Sequence, residues 1–226
     1  MTGRHIRSVE DVLTLLDGMF EAPGWDDFYA DRDRPVPFFA DKPDENLVSY
    51  LDRGLVKPGR ALDLGCGHGR NAAHLAAAGF EVDAVDLSPS AIEWARERTT
   101  DVRFLCGNAF TLELGEYDLV YDSGCFHHLP PHRRVSYLSL LDRCLKPGGH
   151  LGLVCFAAGR MGSETPDADL YRRAGLEGGL AYTPESLRWI FAELTEVELR
   201  GMAEEPPDSP RYGVPFLWTA LFQRPK

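Results

Sequence analysis

From residue 60 onward, short apolar runs alternate with stretches whose apolar residues recur at helical spacing, and this alternation predicts βαβ units around a parallel sheet. The runs place strands at 60–64, 81–85, 102–106, 117–121 and 150–156, with helices near 70–78, 89–98 and 131–145. Ser88 followed by Pro89 marks a helix start, because serine can cap free amides and proline fits the first helical turn. Upstream, Val9, Val12, Leu13, Leu16, Met19 and Phe20 recur at helical spacing behind Ser8, which predicts an amphipathic helix over 8–20. Residues 21–44 have no sustained period, yet they hold Trp25, Phe28, Tyr29, Phe38 and Phe39, and a segment with so many rings is expected to fold over something. A Gly-rich, acidic stretch from 157 to 182 precedes a helix at 184–191 and strands near 194–199 and 215–223. A loop with no helical period joins those two strands, so they are expected to pair antiparallel.

Composition narrows the function. With 24 Lys+Arg against 35 Asp+Glu the net charge is −11, and such a surface repels a phosphate backbone, so no nucleic-acid partner is expected. A hydrophobic fraction of 44% fits one globular unit. It is read as a lead-in helix and aromatic segment over 1–44 and a ligand-binding domain over 45–226. Five scattered cysteines form no C-x-x-C pair and have no histidines at zinc spacing, which predicts reduced thiols and no metal. Glu10 and Asp11 interrupt any secretory pattern after Arg4 and Arg7, and no apolar run is long enough to cross a bilayer. A cytoplasmic protein without a membrane partner is the expectation; nothing in the residues sets an oligomeric state.

The chemistry concentrates at Ala61-Leu62-Asp63-Leu64-Gly65-Cys66-Gly67-His68-Gly69-Arg70-Asn71, an apolar strand running through three glycines into a helix. Bare amides and a helix N-terminus would face whatever binds there. Arg70 stands where a dinucleotide fingerprint wants a small residue, which argues against a nicotinamide enzyme. Asp86 ends the next strand and can accept two ribose hydroxyls, while Asp63 biases the pocket toward a cationic ligand. Leu87 and Ser88 follow Asp86. Cys106-Gly107-Asn108-Ala109 ends the third strand, where an amide can read an adenine edge, and Asp122-Ser123 ends the fourth. The alternative for both acids is helix capping.

These segments, with Val85-Asp86-Leu87-Ser88, Tyr117-Asp118-Leu119-Val120 and Leu145-Lys146-Pro147-Gly148-Gly149, resemble the class I methyltransferases that use S-adenosylmethionine. The resemblance spans roughly 45 to 156. It implies a doubly wound, Rossmann-like α/β fold with a seven-stranded sheet, mostly parallel with an antiparallel last strand and helices on both faces. It also implies that the loop from Gly65 to Gly69, with Gly65, Cys66 and Gly67 as cofactor-binding residues, holds the methionine part and Asp86 the ribose. A weaker similarity, through Asp122, Phe126, Pro131, Arg134, Tyr137 and the aromatic lead-in, is to the branch of thiopurine, halide, thiol and tellurite-resistance methyltransferases. In that branch the N-terminal rings, here Trp25 and Tyr29 among them, cover the cofactor, and the residue after the strand aspartate, here Ser123, touches it. This sequence departs from it at His127-His128, a pairing also common where carbon or oxygen is methylated.

The acceptor is expected to be a small molecule, a thiol or another soft nucleophile first, with oxygen, nitrogen or carbon as alternatives. His127 and His128 follow the fourth strand and are the candidates for a proton acceptor, which a phenol or amine needs more than a thiol does. The bland reading is that one of the pair merely packs or bonds to backbone. His68 is expected to face solvent or the cofactor carboxylate, and Cys66 and Cys125 to be apolar filler. The stretch 159–182, with Arg160, Met161, Arg172 and Arg173, is expected to border the acceptor. A nicotinamide oxidoreductase and a non-catalytic binding module are the rival classes.

Overall fold

The computed structural model describes residues 6–20, 24–173, 175–176 and 178–226. Expectations resting on Arg4, on residues 21–23 and on positions 174 and 177 lie outside the described residues. One seven-stranded sheet organises the rest. Its strands are β1 (Arg60–Leu64), β2 (Glu81–Asp86), β3 (Val102–Cys106), β4 (Tyr117–Ser123), β5 (Leu145–Phe156), β6 (Thr195–Gly201) and β7 (Leu217–Gln223). They lie in the order β3-β2-β1-β4-β5-β7-β6. The first five are parallel, and β7 runs antiparallel to both β5 and β6. The order turns back between β1 and β4, which puts a crevice at the carboxyl ends of these two strands.

The helices are α1 (Val9–Asp17), α2 (Trp25–Ala30), α3 (Glu45–Asp52), α4 (Arg70–Ala77), α5 (Pro89–Arg98), α6 (Arg134–Cys144), α7 (Asp167–Arg173) and α8 (Pro184–Ile190). Side-chain alternation along the strands divides the core in two. Ala61, Leu119 and Tyr121 pack toward α3 and α4, whereas Leu62, Leu64 and Val120 pack toward α6 and α8. The same alternation sends Asp63 and Asp122, which end neighbouring strands, to opposite faces.

Three expectations need correction. The first helix is shorter than 8–20: Ser8 caps it through a reciprocal box with Asp11, but it ends at Asp17 and buries only Leu13. Polar straps hold it instead, from Asp17 to His132 and Arg133 and from Glu10 to Arg133. The aperiodic lead-in contains α2 and a 3-10 turn at Pro37–Phe39, because six- and three-residue helices are too short to show a period. Likewise α7 lies within the Gly-rich, acidic stretch after β5, for which the residues predict no helix.

Candidate active site

The loop between β1 and α4 is held open by its glycines. Gly65, Gly67 and Gly69 have φ of 69°, 52° and 80°, a region that other residues enter at a cost. Space is as restrictive as conformation. A Cβ on Gly65 would sit 2.5 Å from Cβ of Cys125, and one on Gly67 would sit 2.5 Å from the Tyr29 hydroxyl. The amides of Gly65 and Cys66 donate to the Val85 carbonyl, which pins the loop to β2.

Asp86 then ties the loop to the next turn. Its Oδ2 accepts from the Gly67 amide at 2.8 Å and its Oδ1 from the Ser88 amide at 2.9 Å. Burial raises its pKa, and the amides of Ser88 and Gly67 oppose that rise by favouring the charged form. Each carboxylate oxygen keeps a second lone pair for a ligand hydroxyl.

Below the loop lies a buried polar network. Asp44, at the start of α3, pairs with Arg70 at 2.6 Å and accepts from Tyr121 Oη at 2.7 Å and Asn71 Nδ2 at 3.0 Å. Arg70 also donates to the Lys42 carbonyl and stacks over Tyr212 at 4.6 Å. The residue read as a departure from the dinucleotide pattern is therefore the peg that fastens the lead-in and the segment before β7 to the glycine loop. Asp63 sits beside it, and burial pushes its carboxyl up to about 8 against the pull of Arg70. Asp63 Oδ2 is buried and has no hydrogen-bond partner.

Tyr29, Phe38, Asp63, Gly65, Gly67 and Ser123 line a cleft over this network, together with Cys66, His68, Arg70 and Asn71. Six of the sequence-stated candidates thus meet in one place: Tyr29, Asp63, Gly65, Cys66, Gly67 and Ser123. Asp86 reaches them through the Gly67 amide. Leu87 is exposed at the rim, and Asn108 is exposed, with its Oδ1 closing its own turn on the Phe110 amide. Two candidates sit elsewhere than expected. Asp122 faces the α6 side of the sheet, fully buried, where it accepts from the Cys125 and Phe126 amides and from Tyr137 Oη. Trp25 packs edge-on against His128 at 4.7 Å and against Phe28, and it is not among the residues that line the cleft. Of the two places expected for His68, solvent is corrected: it lines the cleft wall, buried between Trp94 and Phe39, and burial brings its pKa down to about 4.

Asp122 acts as the fastener of the 3-10 turn Phe126–His128, which presents the two histidines. Replacing it with alanine strips acceptors from buried amides and from the Tyr137 hydroxyl, a loss of about 1–3 kcal/mol for each group left unpaired. We expect Asp122→Ala to lower unfolding stability by about 2–4 kcal/mol in urea titrations; a change below half a kcal/mol would remove the fastening role. His127 lies flat on Phe156 with ring centroids 3.7 Å apart, and its Nε2 is 3.1 Å from Nε2 of His128. Burial holds both imidazoles below their usual pKa. Sequence reasoning missed Asp44, Arg70 and Tyr121 as a unit. Asp44 and Tyr121 are 77 residues apart and only the fold joins them.

The comparisons with known proteins agree with this geometry. A family model described as a methyltransferase domain matches residues 61–149. An uncharacterized methyltransferase of Synechocystis is 36% identical over 107 residues, 46% of this chain and 50% of that protein. A probable thiol methyltransferase of Arabidopsis thaliana is 27% identical over 158 residues, 67% of this chain and 69% of that protein. The matched region therefore spans about half of the first relative and two thirds of the second. Among solved structures, the Burkholderia thailandensis 1,6-didemethyltoxoflavin-N1-methyltransferase, with 1,6-didemethyltoxoflavin and S-adenosylhomocysteine bound, superposes with a TM-score of 0.63 at 20% identity, covering 100% of this chain and 94% of that one. Residues 61–149 thus match a methyltransferase domain, and the five motifs in order and the reversed β7 fit the class I, S-adenosylmethionine-dependent type.

Proposed function

We propose that the protein transfers a methyl group from S-adenosylmethionine to a small molecule, a thiol or another soft nucleophile first. The observation that carries the cofactor's position is the orphaned, buried Oδ2 of Asp63 in a cleft walled by bare glycine amides. A ligand with an ammonium and a nucleoside suits both features: Asp63 pairs with the cation, the loop follows the methionine part, and Asp86 accepts from the ribose. The cofactor supplies a methyl on a sulfonium, which is already an excellent leaving group. The chain's own task is to position, to exclude water and to handle a proton.

Tyr29, whose hydroxyl approaches Gly67, and Phe38, on the cleft wall, do the excluding. The histidine pair borders the acceptor. The thiol preference draws support from the plant relative, and a net charge of −11 disfavours a polyanionic acceptor. Two rival classes have their own signatures, preferential binding of a nicotinamide dinucleotide or cofactor binding without turnover.

The test has two parts. A panel of thiols, phenols, amines and carbon acids is assayed for release of S-adenosylhomocysteine, with a thiol expected to lead. Calorimetry at pH 6.5 in buffers of different ionisation enthalpy then counts protons. Burial pushes the Asp63 carboxyl up to about 8, so pairing with an ammonium is expected to release protons at that pH, and Asp63→Asn to reduce the release. Wild-type affinity in Asp63→Asn would remove Asp63 from the site.

A further inference from the structure

The two histidines constrain each other's protons. Nδ1 of His128 lies 2.8 Å from the Gly178 carbonyl oxygen, which can only accept, so this nitrogen carries the hydrogen. In a neutral ring its Nε2 is then a bare acceptor. Nε2 of His127, 3.1 Å away, must donate to it. What remains is Nδ1 of His127, unprotonated, buried and without a hydrogen-bond partner. A bare acceptor sealed from water costs about 1–3 kcal/mol, so its persistence calls for an occasional partner.

Its surroundings indicate where that partner comes from. The Cε1 edge of His127, which Nδ1 borders, lies 3.6 Å from where a Cβ would stand on Gly124. Gly124 has φ of 103° and follows Ser123, a residue of the cofactor cleft. Phe156 stacks on the face of His127, Gly179 fills its Cδ2 edge, and Trp25 stands against His128. Cε1 joins both ring nitrogens; with Nε2 committed to His128, Nδ1 is the one left free on the ring that meets the Gly124 turn after β4.

Resting on the methyl-transfer reading above, we propose that Nδ1 of His127 takes the acceptor's proton. His128 and the Gly178 carbonyl act only as positioning groups that fix the tautomer. The acceptor is a neutral molecule that arrives with its proton attached, an aliphatic thiol or a phenol, and not a preformed anion. In the step, the acceptor's S–H or O–H bond breaks and its proton goes to Nδ1. The acceptor atom bonds to the methyl carbon as the sulfonium–methyl bond breaks and its electron pair stays on sulfur. The imidazolium so formed is stabilised through Nε2–H to His128, and it returns its proton to water after product leaves.

Histidine-labelled protein, free and with S-adenosylhomocysteine, is examined by two-bond nitrogen–proton NMR, with assignments from His127→Gln and His128→Gln. We expect hydrogen on Nε2 of His127 and on Nδ1 of His128; hydrogen on Nδ1 of His127 overturns the proposal. His128→Ala should populate the other His127 tautomer and cut turnover about tenfold, with His128→Gln restoring both, since its amide oxygen can accept from Nε2–H. An unchanged His127 pattern in His128→Ala overturns the positioning role. His127→Gln should slow methylation of an aliphatic thiol or a phenol by about 100-fold or more. With 4-nitrothiophenol, already ionised at neutral pH, the loss should be at least tenfold smaller. Equal losses overturn the base assignment. Should His127→Gln fail to fold, the wild-type spectra alone still decide the tautomer. A wild-type protein that binds cofactor and methylates nothing would refute the methyl-transfer reading, while the spectra judge the tautomer separately.

Discussion

Arg70→Met is expected to destabilise the fold by about 3–5 kcal/mol, because it removes the cation from beneath a buried carboxylate and leaves Asp44 uncompensated. Asp44 accepts in addition from Tyr121 and Asn71, so the loss spreads to the start of α3 and the start of α4. Methionine is close in length and keeps contact with the Tyr212 ring, which separates loss of charge from loss of packing. The double variant Arg70→Met with Asp44→Asn should recover part of the loss, since the stranded charge goes with its partner. Urea unfolding of the four proteins in the cycle measures this. A single-variant loss under 1 kcal/mol, or strict additivity in the cycle, would mean that the pair does not hold the lead-in to the loop.

Asp86→Ala is expected to weaken S-adenosylmethionine binding 10- to 100-fold, about 1.4–2.8 kcal/mol. The carboxylate is asked to do two things at once: accept from the ribose, and order the Gly67 and Ser88 amides before ligand arrives. Alanine removes both. Asparagine retains one acceptor oxygen, so Asp86→Asn should fall between wild type and alanine. Calorimetry reads the series directly, and an Asp86→Ala affinity equal to wild type would remove the carboxylate from the cofactor site.

The sheet could be read from the residues because each strand is an apolar run with its own punctuation. β1 and β3 match their expected limits, and α5 begins at the Ser88-Pro89 signal. The glycine loop was legible for the same reason: a local string of residues encodes a local backbone. Asp122 shows where such reading stops. Its place after an apolar strand matches that of Asp63, yet the pleat turns one toward the cofactor cleft and the other toward α6. Which face a strand-end residue takes depends on the register against helices far away in sequence. Trp25, which packs on His128, could not be oriented from the residues for a related reason, since a ring in an aperiodic segment carries no direction of its own. The Asp44–Arg70–Tyr121 cluster left no trace in spacing at all, being assembled by tertiary contact.

The strand order has a consequence for biogenesis. β7 is synthesised after both of its neighbours, yet it lies between β5 and β6 and bonds to both. Until residues 217–223 leave the ribosome, β6 has nothing to pair with and β5 presents an open apolar border. The nascent polypeptide can therefore assemble the order β3-β2-β1-β4-β5 before β7 emerges, and the sheet closes only once it has, leaving an interval in which a chaperone has a defined edge to shield.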